Sequence, residues 1–314
     1  DLFIVYQHFM PQNHPIPRKF YTLKYWPIWL GIACLRLIII LPWHWRMACG
    51  RALGSLLYQL SSRRRSIAKT NIALCYSHLS APDQAALVKQ TFKDNGIGVI
   101  ETAMAWWSSR KQFTHRVSIE GAHLIEQAQD QGRGVLLVGA HYTSLDLGGI
   151  LLAPTFPYYA TYQRHGNELM DEIISRGRLS HLPGIVERED IRQVMRLLKE
   201  GKTVWLAPDQ DVGAQRSVFA DFFGIETATT PIISRLASAT GAKVLQFSHH
   251  RTQADQAYEL KISDDLPNVP SGDLVADANA INSAIEAQVR MYPSQYLWLH
   301  RRFKTRPPGT KSFY

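Results

Sequence analysis

The chain has 314 residues, 46% of them apolar and 19% charged, with 35 Lys and Arg against 26 Asp and Glu. This composition excludes a disordered, collagen-like or coiled-coil chain and leaves ample material for a core. The length suits two domains or one large α/β domain.

The net charge of +9 is unevenly placed. Residues 1–80 hold ten Lys and Arg and a single acid, Asp1. Residues 81–300 hold 20 basic and 25 acidic side chains, and residues 301–314 carry five basic groups and no acid. A basic protein ordinarily suggests nucleic acid. Here the basic end is also the most apolar end, which favours an anionic membrane surface and no nucleic acid. Cys34, Cys49 and Cys75 are odd in number and widely spaced, with no CxxC. They imply neither a disulfide framework nor a zinc site, and they fit a reducing, cytosolic environment.

In chain order, the first feature is the apolar run from Trp26 to Leu41, interrupted only by Arg36. It falls short of the roughly 20 residues that span a bilayer comfortably. No small-residue cleavage site follows it, so it does not read as a cleavable signal. Trp26, Trp29, Trp43 and Trp45 bracket it as interfacial anchors would. It is expected to be a membrane-associated helix, spanning or lying in one leaflet, with a buried core helix as the alternative. Residues 1–60 form the basic, apolar anchor region, and residues 61–115 a helical segment packing on the body. Within the latter, helices are expected over 62–75 and 81–107, the second opening on Ser80-Ala81-Pro82-Asp83.

Strand-like and helix-like runs then alternate. The strands are expected at 117–120, 135–140, 158–162, 203–207, 243–249 and 257–262. Helices are expected near 121–130, 144–152, 167–178, 189–200, 229–240 and 275–290. This alternation predicts an α/β fold with a mostly parallel sheet flanked by helices over residues 116–314. The last two strands, joined more directly, can be antiparallel. Ligands in such sheets sit beyond the carboxyl ends of the strands. The segments after Ala140, Tyr162 and Ala207 are therefore the places to look.

Several signatures are missing. The sequence has no G-x-S-x-G elbow, no complete P-loop, no dinucleotide glycine fingerprint and no HExxH. What does stand at a strand end is His141-x4-Asp146. Five positions along one continuous helix would put the two residues about 140° apart. With His141 in the loop before the helix, its ring can instead fold back towards Asp146. The carboxylate would then fix the tautomer and leave the other ring nitrogen as a base. Thr143 or Ser144 can cap the following helix.

His141-x4-Asp146 at a strand end resembles the signature of the glycerolipid acyltransferase superfamily. Further runs narrow the resemblance to the bacterial lipid A late acyltransferases of the lauroyl-transferase type. They are Arg65 with Asn71-Ile-Ala-Leu-Cys-Tyr76, Glu101-Thr-Ala-Met-Ala-Trp-Trp107 and Gly134-Val-Leu-Leu-Val-Gly-Ala-His141. Further along come Ala207-Pro-Asp-Gln-Asp-Val-Gly213, Ser217-Val-Phe-Ala-Asp-Phe-Phe223 and Trp298-Leu-His-Arg-Arg-Phe-Lys-Thr-Arg-Pro307. They cover the chain from about residue 20 onward. One departure is the acid: Asp146 stands where lauroyl-type members carry glutamate, although aspartate is usual across the superfamily.

The resemblance implies a glycerol-3-phosphate-acyltransferase-like fold. It also implies transfer of a fatty acyl chain from acyl carrier protein to the 3-hydroxyl of an acyl chain on a lipid A precursor. His141 would be the general base, oriented by Asp146, and the thiolate leaving group would need little acid help. No cofactor, metal or serine nucleophile is called for, and Ser144 reads as a cap. The implied setting is the bacterial inner membrane, with the catalytic domain on its cytoplasmic face, acting as a monomer. A phospholipid-forming acyltransferase is the nearest alternative. A non-catalytic membrane or nucleic-acid-binding protein is the remote one.

Arg164 occupies the family's arginine position after a strand and could hold a phosphate or the oxyanion. Arg178, Arg188 and the run Arg301–Arg306 are candidates for phosphate recognition. Asp209 and Asp211 could touch substrate, make structural hydrogen bonds or orient a basic residue of the site. Phe219 and Phe222 could line an acyl pocket. Thr230, in Ala228-Thr-Thr-Pro231, resembles a further substrate-binding block.

Overall fold

The structure is a computed structural model describing residues 15–113, 115–252 and 257–314. The first fourteen residues of the expected anchor region lie outside the described residues. Four helices precede the sheet: α1 (Trp26–Ile38), α2 (Trp43–Leu60), α3 (Ser62–Cys75) and α4 (Ala81–Trp107). The expected bounds of α3 and α4 agree with these, and the Ser80 hydroxyl accepts the Asp83 backbone N–H, as an N-cap should.

The apolar run of 26–41 does not continue as one helix. It bends after Ile38, and Pro42 starts α2. No residue of α1 is buried, and Trp26, Leu30, Leu37 and Ile40 are widely exposed. Among the described residues, no helix is long and apolar enough to cross a membrane. By contrast, α2 is clamped to α4 through glycines. A Cβ on Gly96 would stand 2.7 Å from the Gly54 Cα, and one on Gly54 would stand 2.6 Å from the Lys93 Cα. The two backbones are therefore closer than any side chain would allow.

The remainder is β1 (Val117–Glu120), α5 (His123–Asp130), β2 (Val135–Val138), α6 (Leu145–Leu152), β3 (Tyr159–Tyr162), α7 (Glu168–Leu179), β4 (Gly184–Glu187), α8 (Ile191–Lys199) and β5 (Thr203–Leu206). A hairpin follows, of β6 (Val218–Phe222) and β7 (Ile225–Thr229). Then come α9 (Ile232–Thr240), β8 (Lys243–Arg251), β9 (Tyr258–Ser263) and α10 (Leu274–Met291). Seven strands form one sheet in the order β1-β9-β8-β2-β5-β3-β4. All neighbours in it are parallel except β8 and β9. The α/β reading and the antiparallel last pair both agree with the sequence.

The sheet is buried on both faces, as a parallel sheet must be. Leu136 and Val138 of β2 pack on one face with Val194, Leu197, Ile233, Leu236 and Ile281 from α8, α9 and α10. Val135 and Leu137 pack on the other with Ile100, Ile125, Leu147 and Ile150 from α4, α5 and α6. The chain leaving β2 thus runs to one face, through α6. The chain leaving the adjacent β5 runs to the opposite face, through the hairpin and α9. Their divergence opens a crevice at the carboxyl edge of the sheet, where ligands of such folds bind.

Candidate active site

His141 lies three residues beyond the end of β2, and Asp209 three residues beyond the end of β5. Because the two strands are neighbours, the two loops meet. Nδ1 of His141 lies 2.6 Å from Oδ1 of Asp209, and the His141 backbone N–H donates to Oδ2 at 2.9 Å. Both oxygens of one buried carboxylate therefore fix both the ring and the main chain of the histidine. Burial alone would raise the Asp209 carboxyl. The imidazole charge, its hydrogen bond, the backbone N–H and the Arg302 guanidinium outweigh burial and pull it down to about 2. Asp209 is thus a carboxylate at any working pH.

Asp146 does not approach this ring. It sits in the first turn of α6, and its carboxylate is held by Arg178 from the last turn of α7. Nε donates to Oδ1 at 2.7 Å and Nη2 to Oδ2 at 3.3 Å. The expected His141–Asp146 contact is therefore corrected to His141–Asp209, with Asp146 bound to Arg178. The physical reason is topological: the loop after β2 lies against the loop after β5, while α6 turns its first residues towards α7. Ser144 is the residue before α6, but its side chain makes no cap. Its hydroxyl is buried and lies 3.0 Å from Nδ1 of His249.

The His141 loop is buttressed by the C-terminal segment. Leu297 N–H donates to the His141 carbonyl at 3.0 Å, and Thr143 N–H donates to the Gln295 carbonyl at 2.8 Å. Asn71 of α3 in turn donates to the Trp298 and His300 carbonyls, both at 2.7 Å.

His141 opens on a cleft of about 690 Å³, within the size range of small-ligand sites. Its walls combine apolar side chains (Leu145, Trp205, Leu206, Val212, Ile191, Ile232) with four arginines, Arg178, Arg188, Arg216 and Arg235. Glu189 is the only carboxylate among the lining residues, and it already accepts from Arg188 at 2.7 Å. Arg216 and Arg235 form no ion pair among the described residues. A partly apolar cleft with an excess of guanidinium groups suits a ligand that is both fatty and anionic.

The family model described as bacterial lipid A biosynthesis acyltransferase matches residues 15–305. The chain is 36% identical over 301 residues to the lipid A biosynthesis palmitoleoyltransferase of Escherichia coli strain K12, covering 95% of this chain and 97% of that one. It is 35% identical over 294 residues to the lipid A biosynthesis lauroyltransferase of the same organism, covering 93% and 95%. It is 32% identical over 302 residues to a lipid A biosynthesis acyltransferase of Haemophilus influenzae, covering 95% and 96%. The chain belongs to the bacterial lipid A biosynthesis acyltransferases. It is an acyltransferase.

The other residues expected to serve this acyltransferase fall into two groups. Arg178, Arg188 and Thr230 line the cleft with His141. Arg164, Asp211, Phe219 and Phe222 are not among the lining residues. Arg164 is 70% exposed and turned to Glu187, with Nε donating at 2.6 Å. Asp211 binds the C-terminal segment, accepting from the Thr305 N–H at 2.6 Å and the Thr305 hydroxyl at 2.9 Å. Phe222 is core, packed edge-on against Phe223 and near Tyr296 and Phe303. Phe219 lies on β6, opposite Ala228 of β7.

The basic run at 301–306 also looks away from the cleft. Arg302 is fully buried and donates to the Ala228 carbonyl at 2.6 Å and the Thr229 hydroxyl at 2.9 Å. Arg301 lies over the Tyr314 ring and Arg306 over Phe313. Arg216 and Arg235 carried no sequence signal, being single exposed arginines without motif or period. Among the described residues, no three His, Cys, Asp or Glu side chains converge as a metal site. The oxygens of Asp209 and Asp211 are already taken by His141 and Thr305.

Proposed function

We propose that the protein moves a fatty acyl chain from acyl carrier protein to the 3-hydroxyl of an acyl chain on a lipid A precursor, with His141 as general base. The observation that carries this reading is the imidazole held through Nδ1 by Asp209 at the wall of a cleft lined by four arginines. With Nδ1 occupied, Nε2 is the nitrogen available to a substrate. An alcohol is a poor nucleophile at neutral pH, and a positioned base contributes roughly 10²–10⁴ in rate. Nε2 takes the hydroxyl proton as the oxygen attacks the thioester carbonyl. The buried Asp209 carboxylate stabilises the imidazolium that forms. Arg188, Arg216 and Arg235 receive the phosphate groups of the substrates, and the apolar wall receives an acyl chain.

The same reading places the protein at the cytoplasmic face of the bacterial inner membrane. Leu23, Trp26, Leu30, Leu37, Ile40 and Trp45 are exposed apolar side chains, interspersed with the exposed Arg18, Lys24 and Arg36. A helix of 13 residues is about 20 Å long, less than the roughly 30 Å hydrocarbon core. It therefore lies in the interface, with its cations on anionic headgroups.

Transfer is tested with decanoyl, lauroyl, myristoyl and palmitoleoyl acyl carrier proteins as donors and a tetra-acylated lipid A precursor as acceptor, read by tandem mass spectrometry. The expected product carries one additional chain, esterified to an acyl hydroxyl. Acylation of lysophosphatidic acid in its place would overturn the reading in favour of phospholipid synthesis.

A further inference from the structure

One irregular segment, residues 295–305, holds both halves of the His141–Asp209 pair. At its start it runs against the His141 loop as a short antiparallel ladder. Leu297 N–H donates to the His141 carbonyl, Thr143 N–H donates to the Gln295 carbonyl, and Tyr142 bridges to Tyr296 between them. At its end it grips the other loop. Thr305 donates to both oxygens of Asp211, two residues beyond Asp209, from its N–H at 2.6 Å and from its hydroxyl at 2.9 Å. The two loops that keep Nδ1 of His141 against Asp209 are thus tied together a second time, through this segment.

Between these ends the segment belongs to no helix or strand, so its buried main-chain groups depend on side chains for partners. Gln295 is fixed to the end of β8: Arg251 N–H donates to its Oε1 at 2.9 Å, and its Nε2 donates to the Arg251 carbonyl at 2.7 Å. The middle is fixed by Asn71 of α3, which is wholly buried. Its Nδ2 donates to the Trp298 and His300 carbonyls, two residues apart, and its Oδ1 accepts from the Tyr314 hydroxyl. That hydroxyl in turn accepts the Phe303 N–H at 3.2 Å. Asn71 is not among the residues lining the cleft.

We propose that Asn71 is a positioning residue for acyl transfer: by fixing the middle of segment 295–305, it holds the His141 and Asp209 loops in register. This rests on His141 acting as the general base, as proposed above. Removing the Asn71 amide takes a donor from two carbonyls, and a buried acceptor left unmet is costly. The segment must shift to meet them again, and the His141 main chain shifts with it. A misplacement of about 1 Å arising far from the chemistry can cost on the order of 10²-fold in rate.

Steady-state kinetics per folded molecule and 15N spectra of the histidine rings, on the full chain, test the assignment. Asn71→Ala is expected to lower kcat roughly 10–10²-fold with KM nearly unchanged. Its His141 ring should show a mixture of tautomers where the wild type shows one, with the proton on Nδ1. Thr305→Val, at the other end of the segment, should lower kcat in the same way but by less. Thr305→Ser, which keeps the hydroxyl, should recover most of that loss. Wild-type kcat and an unchanged His141 ring in folded Asn71→Ala, whatever its melting temperature, would leave Asn71 a residue of the fold and overturn the proposal. A raised KM with unchanged kcat would overturn it too, by assigning the segment to substrate binding. If Asn71→Ala does not fold, Thr305→Val against Thr305→Ser decides in its place, and equal kcat with an unaltered ring in the two would overturn the proposal. The ring spectra need no substrate. Failure of the wild-type protein to transfer any acyl chain would therefore count against the proposed reaction, while the tautomer still reads whether Asn71 positions His141.

Discussion

Nδ1 of His141 stands 2.6 Å from Oδ1 of Asp209, a residue 68 positions further along the chain. The contact exists only because β2 and β5 lie side by side. It gives the imidazole one defined tautomer and leaves a single nitrogen for proton transfer. His141→Ala is therefore expected to reduce acyl transfer by at least 10²–10⁴-fold while binding of the lipid acceptor survives. Single-turnover transfer and equilibrium binding to vesicles containing the acceptor, measured side by side, check this.

His249 and His250 predict how stability responds to acid. Burial, joined for His249 by the neighbouring His250 and His141, depresses both rings to about 3, so both are neutral in the folded protein. Ser144 faces His249, while Tyr142 and Tyr292 enclose the His250 ring. In the unfolded chain each ring gains a proton near pH 6.5. Below that pH the unfolded state binds more protons than the folded one, so stability is complete above about 6.5 and falls as the pH drops towards 3. The slope is about 1.4 kcal/mol per pH unit for each histidine. Asp209 has the opposite origin but the same sign. Its depressed carboxyl adds stability above its unfolded value, and that contribution is lost as the pH falls through about 2. Denaturant midpoints should stay level from pH 7.5 to about 6.5 and then fall towards pH 5 in the wild type, less steeply in His250→Phe. Equal slopes in the two proteins would refute the assignment.

Arg251 predicts a large structural defect. It ends β8 and donates to Glu101 at 2.6 Å and to Asp94, both on α4, and the Tyr258 hydroxyl also donates to Glu101 at 2.7 Å. All four side chains are buried. Arg251→Met leaves two carboxylates without their cation, which should cost about 3–5 kcal/mol. Adding Asp94→Asn and Glu101→Gln should recover part of that loss. Urea unfolding of the three proteins measures both steps.

The exposed face of α1 predicts where the protein is found in the cell. Leu30→Asn, Leu37→Asn and Ile40→Asn together remove three large apolar side chains that contact little of the body. At roughly 1.5–3 kcal/mol per fully buried aliphatic side chain, the triple variant should leave the membrane fraction while its melting temperature barely changes. Deletion of residues 1–45 should do the same. Unaltered fractionation of both proteins would argue against this face as the membrane contact.

Legibility in the sequence followed the length and periodicity of each element. The capped, 27-residue α4 and the four apolar residues of β2 announce themselves. β4 is four residues long and opens on a glycine, and so short a run does not stand out from a loop in the sequence even though its burial alternates. In the sequence, the β6–β7 hairpin shows only as aromatic blocks. Its turn places Phe223 at φ +55° and Gly224 at φ +72°, and a non-glycine in that region is not an ordinary turn signal. At the site, the histidine at the strand end was readable but its partner was not. Spacing along the chain favoured Asp146, five residues away, whereas the contact depends on which strand lies beside β2. The sequence allows Asp209 to orient a basic residue, and strand order decides which one. Arg216 and Arg235 enter the cleft only because the hairpin and α9 fold back over it.

The place of β5 in the sheet has a consequence for synthesis. It lies between β2 and β3, two strands that leave the ribosome before it. Until residue 206 has emerged, a growing chain can contain His141 and the α6–α7 region but has no strand to fill that gap. The histidine then has no carboxylate to hold its ring, and the C-terminal buttress of its loop, near Leu297, arrives later still. Domains generally fold as units, from the N-terminus, as the chain is made. The apolar α1 surface is therefore made well before the site is complete. On the proposed function, the chain would reach a membrane surface before Asp209 holds the His141 ring.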